Sequence, residues 1–110
     1  MQLARIYDDP PGPRYLIDRL WPRGVSKERA QLEGWLKDIA PSDALRRAYH
    51  AGEVDHPTFS QLYLDELANQ TAPSLPGDAV LVTAAKELEA SHGPILLKWL
   101  QGDPPRPKRT

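Results

Sequence analysis

A chain of 110 residues, 40% apolar and 26% charged with a net charge of −1, has the make-up of one small globular domain with a single modest core. Such a composition excludes a disordered chain, and the near-neutral charge argues against bulk attraction to nucleic acid or anionic lipid. With no cysteine present, disulfides, thiolate nucleophiles and thiolate metal sites are excluded as well.

Taken in chain order, "LARIY" (residues 3–7) is short and partly alternating, and the turn-rich "DDPPGP" that follows makes it a strand leading into a loop. "YLIDRL" (15–20) reads as a second strand, stopped by Pro22 and Gly24. Ser26 then suits an N-cap with Glu28 in the first turn, predicting a helix from Lys27 toward Lys37 that presents Leu32, Trp35 and Leu36. Ser42 and Asp43 open a short helix to about His50. After the loop "AGEVDH", Pro57 suits the first turn of a longer helix carrying Phe59, Leu62, Tyr63 and Leu67 at spacings of three and four. "TAPSLPGD" is a connection, and "AVLVTA" (79–84) is a third strand, continuous enough in apolar character to be buried on both faces. "KELEA" is expected to be helical, and Gly93 and Pro94 start a last helix through Ile95, Leu96, Trp99 and Leu100. The tail "DPPRPKRT" is Pro-rich, basic and expected to be loose. Three short strands separated by helical segments predict an α/β fold. The sheet is short and mostly parallel, with helices packed on both faces; it forms one domain over residues 1–101 followed by the tail.

No apolar run approaches the roughly 20 residues of a membrane-spanning helix, and the first residues lack a secretory pattern; the cytoplasm is the expected location. Histidines 50, 56 and 92 stand in no zinc-ligand spacing, so no metal site is expected. The basic residues are unevenly placed. Between Arg14 and Arg47 there are eight Lys or Arg against five Asp or Glu, whereas residues 48–85 hold no Lys or Arg at all.

In open α/β sheets, ligands sit off the carboxyl ends of the strands. Asp18, Arg19, Arg23 and Lys27 follow the second strand there; Thr83, Lys86 and Glu87 follow the third, and Ser91 and His92 come shortly after. Arginines converging near helix starts suit an anionic ligand, and Ser42 with Arg46 offers a second anion-friendly helix start. The expected site therefore has Arg19, Arg23, Lys27, Ser42 and Arg46 as ligand-binding residues. His92, Lys86 and Asp18 are the candidates for proton transfer or polar catalysis. Each has a structural alternative. Asp18 can pair with Arg19, Arg23 or Arg46 in a semi-buried ion pair, Ser26 and Ser42 can be caps alone, and the three tryptophans can be packing residues. No glycine-rich nucleotide fingerprint is present, so no cofactor is named.

The segments "YD.P...RYLIDRLWPRGVSKERA", "WLKDIAPSDALR" and "F..LYLDEL" closely resemble the YeaO-like branch of the domain-of-unknown-function 488 (DUF488) family, over about residues 5–100. The resemblance implies a bacterial or archaeal, cytoplasmic α/β protein with no established activity. More distant members carry an Asp-x-Arg at a strand end together with Cys-x-Glu and Cys-His-Arg segments. Asp18-Arg19, "TAAKE" (83–87) and "SHG" (91–93) stand at the corresponding places here. The departures rule out thiol chemistry, leave Lys86 and His92 as the retained members, and favour a copy that binds without turnover. The leading expectation is thus binding, with or without processing, of a small phosphorylated or nucleotide-like anion. Its rivals are a nucleic-acid-associated module using the basic stretch and tail, and a protein-interaction domain in which the cations only make ion pairs.

Overall fold

The computed structural model describes residues 1–102. Apart from Gly102, the expected basic tail lies outside them. Four strands, β1 (Gln2–Arg5), β2 (Arg14–Leu16), β3 (Leu32–Trp35) and β4 (Val80–Thr83), form one sheet in the order β1-β4-β2-β3. Every pairing is parallel, with Leu3 and Tyr15 both opposite Leu81. The expected α/β class and parallel sheet are borne out.

β4 is buried along its whole length, as its unbroken apolar sequence predicts, because it lies between β1 and β2 with side chains alternating to two cores. On one face, Ile17 and Leu81 pack with Leu45, Phe59, Tyr63, Leu67 and Leu96. These come from α2 (Asp43–His50), α3 (His56–Leu67) and α4 (Gly93–Leu100). On the other, Leu16, Val80 and Val82 meet Ile6, Val25 and Ala30. That side is covered by a loop and by the single-turn helix α1 (Lys27–Ala30). Each fully buried Leu, Val or Ile contributes about 1.5–3 kcal/mol relative to exposure.

The two serine caps form as expected, and Asp55, read as a loop residue, caps α3 as well. Ser26 accepts from the Arg29 N–H (3.0 Å), Ser42 from the Leu45 N–H (3.2 Å) and Asp55 from the Thr58 N–H (2.9 Å). Two segments differ from expectation. The helix predicted from Lys27 to Lys37 ends after one turn, because Gln31 takes a left-handed conformation (φ 48°) and turns the chain back as the edge strand β3. Within β3, Gly34 leaves room for the Tyr15 ring of the neighbouring strand; a Cβ there would stand 3.1 Å from Tyr15 Cδ2. The "KELEA" helix is only a 3-10 turn over Leu88–Ala90.

The second strand also stops early, at Leu16. The Ile17 N–H still donates to the Val82 carbonyl (3.0 Å), and Asp18 is the first residue to turn off the sheet. α4 begins hard against β1, since a Cβ on Gly93 would lie 2.7 Å from both methyl carbons of Leu3. That close approach sets His92 beside the carboxyl ends of β2 and β4. Among the described residues no helix is long and apolar enough to cross a membrane.

Candidate functional site at the carboxyl edge of the sheet

A cleft of about 510 Å³ opens at the carboxyl edge, within the range of pockets that hold small molecules. Its floor is built around Asp18. One carboxylate oxygen accepts from the Thr83 hydroxyl (2.6 Å) and the other from the Ala84 N–H (2.8 Å). Asp18 therefore fastens the end of β2 to the end of β4. The ion pair of Asp18 with Arg19, Arg23 or Arg46 that the sequence allows is absent among the described residues. Arg19 instead donates through Nε to the Pro41 carbonyl (2.9 Å) and through Nη2 to the Ala40 carbonyl (3.2 Å), tying the turn before α2 to the sheet edge.

His92 lines the same floor. Its Nε2 lies 2.8 Å from the Ile17 carbonyl oxygen and 3.9 Å from Asp18 Oδ1. The Tyr63 ring meets it edge-on at 5.7 Å, while the Tyr63 hydroxyl donates to the Ile39 carbonyl (2.6 Å). Burial holds the His92 imidazole below the usual histidine range, against the opposing pulls of the Asp18 charge and the Ile17 carbonyl. The folded protein thus resists a proton that the unfolded chain accepts near pH 6.5. The stability associated with neutral His92 is complete above that pH. It declines as pH falls below it, by at most about 1.4 kcal/mol per pH unit. Melting temperatures measured from pH 7.5 to 5.5 are expected to fall on acidification, with a shallower slope in His92→Gln; identical slopes would remove His92 as the cause.

The hydroxyls near the floor are committed to the backbone or to Asp18. Thr83 donates to Asp18. Ser91 donates to the Leu88 carbonyl (2.6 Å) and accepts from the Gly93 N–H (3.0 Å) just before α4. Neither is activated by a base, as a nucleophile would have to be.

Arg23, Arg46 and Lys86 also line the cleft. Arg46 pairs with Asp43 at 3.2 Å. Arg23 and Lys86 are exposed, and among the described residues their side chains make no ion pair or hydrogen bond. The loop carrying Arg23 is shaped by one glycine and held by two hydrogen bonds. Gly24 has a positive φ of 79°, the Trp21 indole N–H donates to the Val25 carbonyl (2.6 Å), and the Tyr7 hydroxyl donates to the Arg23 carbonyl (3.1 Å). Of the residues singled out in the sequence, Asp18, Arg19, Arg23, Arg46, Lys86 and His92 are brought together. Lys27 and Ser42 are not. Lys27 lies on α1 away from the cleft, and the Ser42 hydroxyl caps α2 while donating to Glu66 Oε2 (2.6 Å).

The apolar walls were not anticipated. Tyr7, Leu20, Trp21, Tyr49 and Phe59 line the cleft, the last two stacked with ring centroids 4.2 Å apart. One signal was available, since Tyr49 follows Arg46 by three residues and so shares its helix face. Among the described residues, no three His, Asp or Glu side chains gather as a metal would require.

A family model described as "Inactive DUF488-N3 subclade" matches residues 1–108. The chain belongs to this family. It is 40% identical to the "Uncharacterized protein YeaO" of Escherichia coli (strain K12), over 92% of this chain and 96% of the relative. It is also 35% identical to the "Uncharacterized protein Rv3073c" of Mycobacterium tuberculosis (strain ATCC 25618 / H37Rv), over 93% and 94%. No solved structure matches it significantly. The resemblance to the YeaO-like branch of DUF488 is borne out over nearly the whole chain.

Proposed function

We propose that this DUF488 protein binds a small phosphorylated or nucleotide-like anion in the carboxyl-edge cleft and does not turn it over. The observation that carries the reading is the placement of Arg23 and Lys86. They are two cations without an ion-pair partner among the described residues, facing one cleft whose walls are aromatic. Cations at a rim neutralise an anionic group, and flat apolar walls receive the remainder of the molecule. Arg46 adds a third positive charge at the same cleft.

Binding without turnover is supported by what the polar groups already do. Asp18 accepts from the Thr83 hydroxyl and the Ala84 N–H, Ser91 bonds the Leu88 carbonyl and the Gly93 N–H, and His92 Nε2 is tied to a backbone carbonyl. Asp18 acts in this reading as a positioning residue, and Lys86 as a binding cation. The word "inactive" in the description of the matched subclade favours the same view.

A thermal-shift screen tests the proposal, because a ligand that binds only the native state raises the melting temperature with its concentration. The panel holds phosphate, sulfate, sugar phosphates, nucleotides and short oligonucleotides at low and high salt. A saturable shift with a phosphorylated small molecule is expected. No shift with any anion would end this reading, and a strongly salt-dependent shift with oligonucleotides alone would replace it with a nucleic-acid module.

A further inference from the structure

We infer that the ligand is an anion that also carries a hydroxyl or N–H donor, as a sugar phosphate or nucleoside monophosphate does, and that His92 accepts from it through Nδ1. This inference rests on reading the cleft as an anion site and adds the chemistry of the ligand's other end.

A carbonyl oxygen only accepts, so the 2.8 Å contact with Ile17 requires the hydrogen on His92 Nε2. A neutral imidazole has one N–H and one lone pair, and the lone pair is then on Nδ1. Among the described residues Nδ1 has no hydrogen-bond partner, although His92 lines the cleft.

The hydroxyl and backbone N–H donors at the floor have other acceptors. The Tyr63 hydroxyl serves the Ile39 carbonyl, the Thr83 hydroxyl and Ala84 N–H serve Asp18, and the Ser91 hydroxyl serves the Leu88 carbonyl. The site thus offers positive charge at the Arg23 and Lys86 rim and an unmatched acceptor at its floor. A ligand that meets both is bifunctional. A bare inorganic anion or a simple alkyl phosphate makes no bond to Nδ1 and lacks the contribution of that hydrogen bond.

Calorimetry at pH 7.5 with matched probes tests this. The pairs are propyl phosphate against glycerol 1-phosphate, and phenyl phosphate against 4-hydroxyphenyl phosphate. The donor-bearing member of at least one pair is expected to bind about three- to tenfold more tightly, the equivalent of one hydrogen bond. In His92→Leu that preference is expected to vanish while the alkyl phosphate affinity persists. A second readout uses the unmodified protein: the ¹⁵N resonance of His92 Nδ1 should move when the preferred donor-bearing ligand binds and stay in place with its donor-free mate. Equal affinities within both pairs, a preference that survives in His92→Leu, or an unmoved Nδ1 resonance would each overturn the inference while leaving the anion site standing. Failure of all four probes to bind would overturn both.

Discussion

Asp18→Ala is expected to lower the melting temperature by roughly 10–20 °C, a loss on the order of 3 kcal/mol for a domain of this size. The carboxylate is mostly covered, and it receives the Thr83 hydroxyl and the Ala84 N–H on separate oxygens. Removing it leaves both donors without their acceptor at the point where β4 leaves the sheet. Hydrogen bonds to a charged acceptor are stronger than neutral ones, and stranding their donors costs more than the bonds contribute. Asp18→Asn keeps the shape and one acceptor oxygen, so it should fall between the two. A melting temperature for Asp18→Ala within about 3 °C of the unmodified protein would show that the strand ends do not depend on this clamp.

Reversing both rim cations, Arg23→Glu with Lys86→Glu, is expected to weaken binding of a phosphorylated ligand by about 100-fold or more. Like charges facing each other cost several kcal/mol, and each 1.4 kcal/mol is a factor of ten. The fold should barely notice. Both side chains are exposed and make no ion pair among the described residues, and substitutions at such positions usually stay within about 0.5 kcal/mol each. For the unmodified protein, affinity should also fall as salt is raised, since exposed charges are screened. An affinity within threefold of the unmodified protein would move the anion elsewhere.

The parts of this molecule that could be read in the sequence are those fixed by neighbours a few residues away. Ser26 and Ser42 sit three residues before the N–H groups they accept from, so those helix starts were visible. "VLVT" had to be a central strand because all four residues are apolar or small enough to bury. β3 was hidden by coincidence. Leu32, Trp35 and Leu36 fit a helical spacing, while the event that ends the helix is a left-handed Gln31, a residue that gives no such signal. The site shows the same division. The strand-end rule gathered Asp18, Lys86 and His92, but the partner of Asp18 lies 65 residues away at Thr83. The arginines adjacent in sequence offered a simpler and incorrect pairing. Lys27 was included because it follows the second strand and Ser42 because it starts a helix beside Arg46, and the one-turn helix and the Glu66 contact redirect them.

The position of β4 has a consequence for how the chain comes together. β1, β2 and β3 are all complete by residue 35, yet of the three strand junctions only β2–β3 can form without residues 80–83. β1 has no partner except a strand almost 80 positions later, and the cost of closing so large a loop falls before any ladder bond rewards it. Until then β1 and one side of β2 present unpaired backbone, the kind of edge that invites association with other chains. Pulsed amide exchange during refolding should accordingly find the β1 amides protected no earlier than those of β4, making the last strand in sequence the keystone on which the first one waits.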